Sequence, residues 1–419
     1  MSGEPSGRRG GEPVERQSGG PAERTRGGGE WAFLPTAYAF TVAMCGTTLP
    51  TPLYGLYQER LGFSELTVTV IYAVYALGVI AALLFFGRAS DHVGRRPVLL
   101  AGLVLSAASA LCFLLEGGLP ALLTGRVLSG LSAGLFTGTA TVAVVELAPP
   151  HRRATATLVA TVANMGGLGL GPLLAGVLAE YAGMPLHLVF VVDLALVAVA
   201  VVAVLLTAET VRSRDGVWLR PGRLRVPPQT RPAFVPAAMA GFAGFATMGL
   251  FTSVAPSFLR KVEGVGNLAV SGAVVCSVFA ASTAGQLLMN RVGTRRALLW
   301  GCLVLVAGMA VIAGSLAAAS AWLLVVGAVV AGTGQGLSFR AGVTEVGLHS
   351  PPDQRAEVTS AFFVVLYVAI SIPVVGVGAL AVASGLRTAG LVFTCCVALL
   401  AAATAARLYI AHRDGSAQV

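Results

Sequence analysis

Long apolar runs are the feature that most constrains this chain. Runs of about 20 predominantly apolar residues, the length that an α-helix needs to cross a bilayer, recur between residues 32 and 408 of the 419-residue sequence. Charged residues make up only 11% of the chain, whereas a soluble domain carries about 25%. The mean hydropathy of +0.81 also indicates a membrane protein. The sequence therefore predicts an all-α membrane protein.

The apolar runs predict twelve transmembrane helices, over residues 32–56, 66–86, 97–116, 120–145, 154–180, 185–207, 234–259, 267–289, 297–316, 320–347, 356–381 and 386–408. They form an N-terminal bundle over 32–207 and a C-terminal bundle over 234–408, which an arginine-rich connector over 208–233 joins. Residues 1–31 are rich in Gly, Glu and Arg, which is typical of a disordered tail. Residues 409–419 are predicted to form a second tail.

The basic residues predict the orientation. An even number of helices places both termini on one face, and that face then holds 22 of the 28 basic residues. Because Lys and Arg concentrate in cytoplasmic loops, we expect a plasma-membrane protein with both termini in the cytoplasm. The net charge of +9 is then a topology signal, and no nucleic acid is expected as a partner.

The two halves of the sequence repeat. A Gly-x-x-x-Gly-Leu pattern begins at Gly130 and again at Gly332, and a Pro-Pro-x-x-Arg-Ala pattern begins at Pro149 and again at Pro351. Both pairs are separated by 202 residues. Two patterns in the same register indicate two homologous bundles of six helices each.

The loop after the second predicted helix has the spacing Gly87-x-x-x-Asp91-x-x-Gly94-Arg95-Arg96. This spacing resembles the loop between the second and third helices of the major facilitator superfamily of secondary transporters. The resemblance implies two pseudo-symmetric six-helix bundles with a substrate site between them near the midplane. Transport would then occur by rocking of one bundle against the other.

The same resemblance implies that this loop is a cytoplasmic latch, formed when the protein faces outward and broken when it faces inward. An acid such as Asp91 is favoured near the N-terminus of a neighbouring helix and near guanidinium groups. Glu146 and Arg153 at the end of the fourth helix are predicted to join this cluster. The alternative is that these charges only set the topology.

Arg126 lies inside the fourth helix, where an embedded arginine is usually paired or faces a cavity. Its Leu122-x-x-x-Arg126-x-x-x-Gly130 spacing resembles a motif of the same superfamily whose arginine assists proton transfer. The alternative is an arginine whose head group reaches the outer interface.

Asp193 lies eight positions into the sixth helix, at a depth of about 12 Å from the helical rise. A carboxylate is costly there when ionised, which suits a proton carrier. The alternatives are pairing with Arg126 or a structural contact with a neighbouring helix.

The fifth helix contains Gly167-x-x-x-Gly171-Pro172-x-x-x-Gly176. It resembles the second half of the antiporter motif of drug exporters, although Leu158 stands where the motif has an earlier glycine. Glycines four residues apart are also common where membrane helices pack closely, so ordinary packing is the alternative.

Three further polar residues are candidates for the cavity wall: Asn164, Gln286 and Arg340. Arg340 would either face an anionic substrate or pair with Glu345.

The sequence offers no catalytic triad or metal cluster. It also has no phosphate-binding loop, because such a loop needs a lysine after its glycines and the only lysine is Lys261. We therefore expect no enzyme activity and no cofactor, with transport driven by the proton gradient. The favoured function is proton-coupled efflux, by antiport, of a small amphipathic drug or secondary metabolite, as in multidrug resistance. The alternatives are a proton-coupled importer of a sugar or organic acid, and a receptor without transport. The expected partners are substrate, protons and lipid, with the monomer as the functional unit.

Overall fold

The computed structural model describes residues 29–87, 89–115, 117–211, 224–352 and 354–416. Most of the predicted N-terminal tail and part of the connector lie outside these ranges. Within them the chain forms α-helices at α1 (Leu34–Thr48), α2 (Tyr54–Leu61), α3 (Glu65–Phe86), α4 (Ala89–His92), α5 (Arg95–Leu114), α6 (Gly118–Glu146), α7 (Arg153–Tyr181), α8 (Leu188–Leu206), α9 (Arg231–Ser253), α10 (Ala255–Lys261), α11 (Leu268–Val292), α12 (Thr294–Ala318), α13 (Ala321–Leu348), α14 (Arg355–Ser384) and α15 (Leu386–Ser416).

Eleven helices in the described residues are long and apolar enough to cross a membrane. The first predicted helix is interrupted instead: α1 is followed by a 3-10 turn over Thr51–Leu53 and then by α2. Pro50 and Pro52 lie at this interruption, and a proline cannot donate the amide hydrogen bond that continues a helix. The interrupted segment from Leu34 to Leu61 occupies the place of the first predicted helix.

Other boundaries also shift. The seventh predicted helix is divided into α9 and α10 at Val254, and Pro256 lies in the first turn of α10. The last helix continues to Ser416, so residues predicted to form a tail from 409 onwards are helical up to that point.

The helices form two bundles with the same internal arrangement. In the first half α6 packs on α3 and α5, and α1 packs on α7 and α8. In the second half α13 packs on α11 and α12, and α9 packs on α14 and α15. The halves meet where α7 packs on α11 and where α3 packs on α14. This is the pseudo-symmetric fold that the sequence predicted.

The repeated glycines lie at equivalent helix contacts. A Cβ atom at Gly130 would overlap the carbonyl oxygen of Tyr75 on α3, and one at the equivalent Gly332 would overlap the carbonyl oxygen of Val278 on α11. Small residues of this kind let membrane helices approach closely. The sequence repeat is therefore a repeat of close backbone contacts.

The helix termini form two ends of the bundle. We call the end that contains the α8–α9 connection, together with the α3–α5, α6–α7 and α13–α14 loops, the connector end. The opposite end, with the α2–α3, α7–α8 and α10–α11 loops, is the far end.

We expect Gly336→Ala to destabilise the protein by about 1–3 kcal/mol, because the added methyl group would overlap the carbonyl oxygen of Ser282 and force α13 away from α11. Thermal unfolding in detergent would measure this. Gly347→Ala, on the same helix, is the matched control, since a Cβ there would meet nothing within 4 Å. Equal melting temperatures for the two variants would contradict this account of the α11–α13 contact.

Candidate functional site

A cavity of about 840 Å³ lies between the two halves. Its walls come from α1, α3, α6 and α7 on one side and from α9, α11, α13 and α14 on the other. It extends from Thr47, Tyr72 and Met248 in the bundle interior to Gly87 and Arg355 at the connector end. The cavity is therefore open towards the connector end.

Four of the predicted polar site residues line this cavity: Arg126, Asn164, Gln286 and Arg340. Among the charged and amide side chains of the wall, sequence reasoning missed Gln335 and Arg355. Gln335 lies between two glycines within the second copy of the repeated pattern, and its side-chain amide in an apolar helix was an available signal. Arg355 belongs to the repeated Pro-Pro-x-x-Arg pattern and is the first residue of α14.

Arg126 is almost completely buried, with 2% of its surface exposed. Its Nη1 donates a hydrogen bond to the carbonyl oxygen of Thr47 at 2.7 Å. The guanidinium carbon lies 4.7 Å from the ring centre of Tyr75 and 5.5 Å from that of Tyr72. Its Nε has no hydrogen-bond partner among the described residues. The side chain is thus held by one carbonyl and two aromatic faces.

Asp193 is buried inside the first half and is not among the cavity-lining residues that the structure describes. It lies between α1 and α5: a Cβ at Gly46 would be 3.1 Å from both carboxylate oxygens and 3.3 Å from Ser106 Oγ. No ion pair with Arg126 forms in the described part of the chain, so that predicted alternative is wrong. The two side chains belong to different surroundings because α8 faces the bundle interior, whereas α6 faces the cavity.

The predicted pairing of Arg340 with Glu345 is also wrong. The carboxylate of Glu345 lies 3.3 Å from Nδ1 of His349, one helical turn later on α13. Arg340 is five residues before Glu345 and lies on the face of α13 that the cavity exposes. It makes no ion pair with any residue that the structure describes.

At the connector end, Arg95 is the centre of a cluster formed with Ser90, Asp91 and Glu146. Its Nη1 is 2.6 Å from Asp91 Oδ1 and 2.6 Å from Ser90 Oγ, and its Nη2 is 3.1 Å from Glu146 Oε1. Only 11% of the Arg95 side chain is exposed. This Arg95 cluster ties α4, α5 and α6 together within the first half.

Glu209, which sequence reasoning missed, completes the cluster from the connector. Its two carboxylate oxygens accept hydrogen bonds from the amides of Arg95 and Arg96, at 2.8 and 2.9 Å. An acid in this position caps the N-terminus of α5. Sequence reasoning expected Asp91 near both a helix N-terminus and guanidinium groups: Asp91 does pair with the Arg95 guanidinium, but Glu209 accepts the hydrogen bonds at the helix N-terminus. Only the position of Glu209, one of few acids near a basic connector, could have indicated its role.

Gly94 makes this cap possible. Its φ is +111°, a conformation that favours glycine, and a Cβ there would lie 2.7 Å from the Glu209 carboxylate. Gly87 follows the last turn of α3 and lines the mouth of the cavity.

Arg153 does not join the Arg95 cluster. It is exposed at the first position of α7 and forms no ion pair within the described residues. The neighbouring Arg152 contacts the segment before α1, where its Nη2 lies 2.8 Å from Glu30 and its guanidinium carbon lies 4.2 Å from the ring centre of Trp31. The predicted inclusion of Arg153 in the cluster is therefore wrong in this conformation.

Ion pairs between the halves close the far end. Arg260 lies 2.8 Å from Glu59, and Lys261 contacts Glu65. The carboxylate of Glu180 on α7 accepts a hydrogen bond from the amide of Leu268 at 2.9 Å. The structure is thus closed at the far end and open at the connector end.

The glycine motif of α7 serves two contacts. A Cβ at Gly167 would lie 2.6 Å from the carbonyl oxygen of Thr41, and one at Gly171 would overlap that of Cys45, so both glycines pack on α1. Gly176 packs on the other half, where a Cβ would overlap the carbonyl oxygen of Leu268, and Pro172 faces Gly272 of α11. Pro172 and Gly176 therefore belong to the closure between α7 and α11, whereas Gly167 and Gly171 belong to packing within the first half.

Comparison with known proteins gives a family match and distant relatives. The family model described as the Major Facilitator Superfamily matches residues 36–372. MdtD of Escherichia coli K12 and MdtD of Shigella sonnei, which bear the name of a multidrug resistance protein, are each 27% identical to this chain over 177 residues. The alignment covers 42% of this chain and spans only 37% of the length of those relatives.

Two solved structures are similar in fold. A bacterial homologue of the human lysosomal transporter Spinster, inward-facing and unoccupied, has a TM-score of 0.68 at 16% identity and covers 91% of this chain and 96% of its own. A POT family transporter in complex with a thioalcohol-conjugated peptide has a TM-score of 0.71 at 14% identity, with 90% and 94% coverage.

We expect Arg95→Gln to lower the free energy of unfolding by about 1–3 kcal/mol, because two carboxylates lose a charged hydrogen-bond donor. Arg96→Gln is the control, since the Arg96 side chain forms no ion pair within the described residues and its amide bond to Glu209 is retained. Thermal unfolding in detergent separates the variants. Equal stability of the two would show that the Arg95 cluster contributes little.

We expect Gly176→Ala to loosen the far end, because the methyl group would press on the α11 backbone. Hydrogen–deuterium exchange of the peptide that contains Leu268 should quicken by about fivefold, for an opening made easier by about 1 kcal/mol. Gly166→Ala is the control, because its Cβ would meet only Val162 at 3.7 Å. Unchanged exchange in the Gly176 variant would contradict the assigned closure.

Proposed function

The chain belongs to the major facilitator superfamily, and on that premise we propose that it exports a small amphipathic compound in exchange for protons by alternating access. The observation that carries the proposal is the asymmetry of the interface between the halves. A large cavity is open at the connector end, whereas the ion pair of Arg260 with Glu59 closes the far end. A second state would reverse this asymmetry.

The two contacts between the halves allow such a change. The halves meet where α7 packs on α11 and where α3 packs on α14, and within each half the helices pack on one another. Each half can therefore rotate as a unit. Opening the far end would separate Gly176 from Leu268 and break the Arg260 and Lys261 ion pairs. Closing the connector end would bring the start of α14 towards the Arg95 cluster, which would then act as the latch.

Export is favoured by two observations that are independent of each other. The α7 motif resembles that of drug exporters, and its last glycine lies at the contact that would have to open. The distant relatives named for multidrug resistance are similar over less than half of this chain, so they support export without specifying a substrate.

Asp193 is the proposed proton carrier. It is 3% exposed, and its Oδ1 has no hydrogen-bond partner within the described residues. An ionised carboxylate is costly in such surroundings, so proton binding and release would be coupled to rearrangement of α1, α5 and α8. Arg126 would assist from the cavity side of the same half. No cofactor is required, because the proton gradient would drive transport.

The connector end is proposed to face the cytoplasm of a cell whose plasma membrane holds the protein. Arg95, Arg152, Arg355 and Arg407 lie near this end, as the positive-inside rule requires. The cavity is built from one chain, so a monomer is the proposed functional unit.

Asp193→Asn tests the proton-coupling proposal. Cells with and without the protein are first screened against amphipathic toxic compounds, and expression should raise the inhibitory concentration of at least one compound. Inside-out vesicles with an acidic lumen should then accumulate that compound with the natural protein. We expect Asp193→Asn to abolish accumulation, because no proton can be exchanged at that side chain.

Glu357→Gln is the control, since it also removes a carboxylate but its side chain does not line the cavity. Undiminished gradient-driven accumulation with Asp193→Asn would rule out the carrier assignment. A higher intracellular level of the compound on expression would show import instead of export.

A further inference from the structure

The charged residues that line the cavity are all of one sign. Arg126, Arg340 and Arg355 are part of its wall, and no Asp, Glu, Lys or His is among the lining residues that the structure describes. An amphipathic cation would meet only positive charges in this cavity. The electrostatic field favours an occupant of the opposite sign.

Arg126 has no ionic partner within the described residues. The contacts found for its guanidinium are one carbonyl oxygen and two tyrosine rings. Cation–π contacts contribute about 0.5–2 kcal/mol each, which offsets only part of the cost of burying a charge in a membrane protein. A negatively charged group bound in the cavity would offset the remaining cost of burying the Arg126 guanidinium.

Arg340 supplies a second positive charge, from the opposite half. The nearest acid along its helix, Glu345, is engaged with His349, which leaves Arg340 facing the cavity. The neutral side chains of Gln286 and Gln335 belong to the same half of the cavity wall. Arg355 adds a third charge at the mouth. A ligand that neutralised these groups would contact both halves.

Aromatic side chains cover much of the remaining wall: Tyr75, Phe245, Phe279, Phe339, Phe363 and Tyr367. Such faces accommodate flat apolar groups. We propose that the cavity binds an amphipathic organic anion, in which a carboxylate, sulfonate or phosphate is joined to an apolar, preferably aromatic body. This inference rests on the proposed function, for which it names the substrate class.

The charge arrangement also gives the ligand a role in the conformational change. Closure of the connector end would bring arginines of the two halves closer together, and like charges oppose that movement. An anion held between Arg126 and Arg340 removes the repulsion. Substrate binding would then favour closure of the end through which the substrate entered.

Two xanthene dyes of similar shape and opposite charge test the proposal. Fluorescein is an anion at neutral pH, and rhodamine 123 is a cation. Fluorescence anisotropy titrations of the purified full-length protein in detergent would give both dissociation constants, with empty micelles as the blank. We expect fluorescein to bind about tenfold more tightly or better, since one favourable charge contact of about 1.4 kcal/mol has that effect.

Arg340→Gln should weaken fluorescein binding about tenfold and leave rhodamine 123 unaffected or bound more tightly. Arg340→Lys retains the charge and should stay within about threefold of the natural protein, which separates charge from packing. Arg407→Gln is the matched control, an exposed arginine at the connector end that does not line the cavity. Melting temperatures of all variants show whether folding is retained.

Fluorescein binding that is absent, or no tighter than rhodamine 123 binding, would overturn the proposal. So would a folded Arg340→Gln variant with unchanged affinity for fluorescein. The proposed transport function fails separately: selective, Arg340-dependent fluorescein binding without any gradient-driven movement in vesicles would leave the anion site in place and reject the transport step.

Discussion

A charge inside a bilayer has to be paired, hydrogen-bonded or placed next to water, and this constraint orders the structure. At the far end it is met by ion pairs between the halves, such as Arg260 with Glu59. At the connector end it is met within one half, where Arg95 is enclosed by Asp91 and Glu146. In the interior, Arg126 faces a cavity whose described lining residues include no acid, and Asp193 lies away from that cavity. The far-end charges are neutralised by the opposite half, whereas the proposed ligand would neutralise Arg126 and the proposed proton would neutralise Asp193.

The pairs differ in what a conformational change would do to them. The far-end pairs join α2 and α3 to α10, so rocking of the halves would break them. The Arg95 cluster is internal to the first half, apart from the connector residue Glu209, so it would move as one body. It is already formed while the connector end is open. The Arg95 cluster is therefore a preformed surface on which the other half would close. In this respect it differs from the predicted latch, which forms in one state and breaks in the other.

Close helix contacts make the two rigid halves possible. The repeated glycines Gly130 and Gly332 bring α6 against α3 and α13 against α11 at backbone distance. The α7 motif divides its glycines between α1 of its own half and α11 of the other. This division explains why the motif also looks like ordinary helix packing: it is a packing surface, and part of it lies at the interface that would open in the proposed transport cycle.

The sequence by itself determined the fold class, the approximate helix positions, the internal repeat and four of the polar residues of the cavity wall, because apolar length, periodicity and glycine spacing are local properties. The tertiary structure decided which charges meet. Rotation of each helix about its axis places Asp193 away from Arg126 and leaves Arg340 without an ion pair among the described residues, and chain proximity brings Glu209 to the N-terminus of α5. Those contacts join residues from different helices, and no local pattern records them.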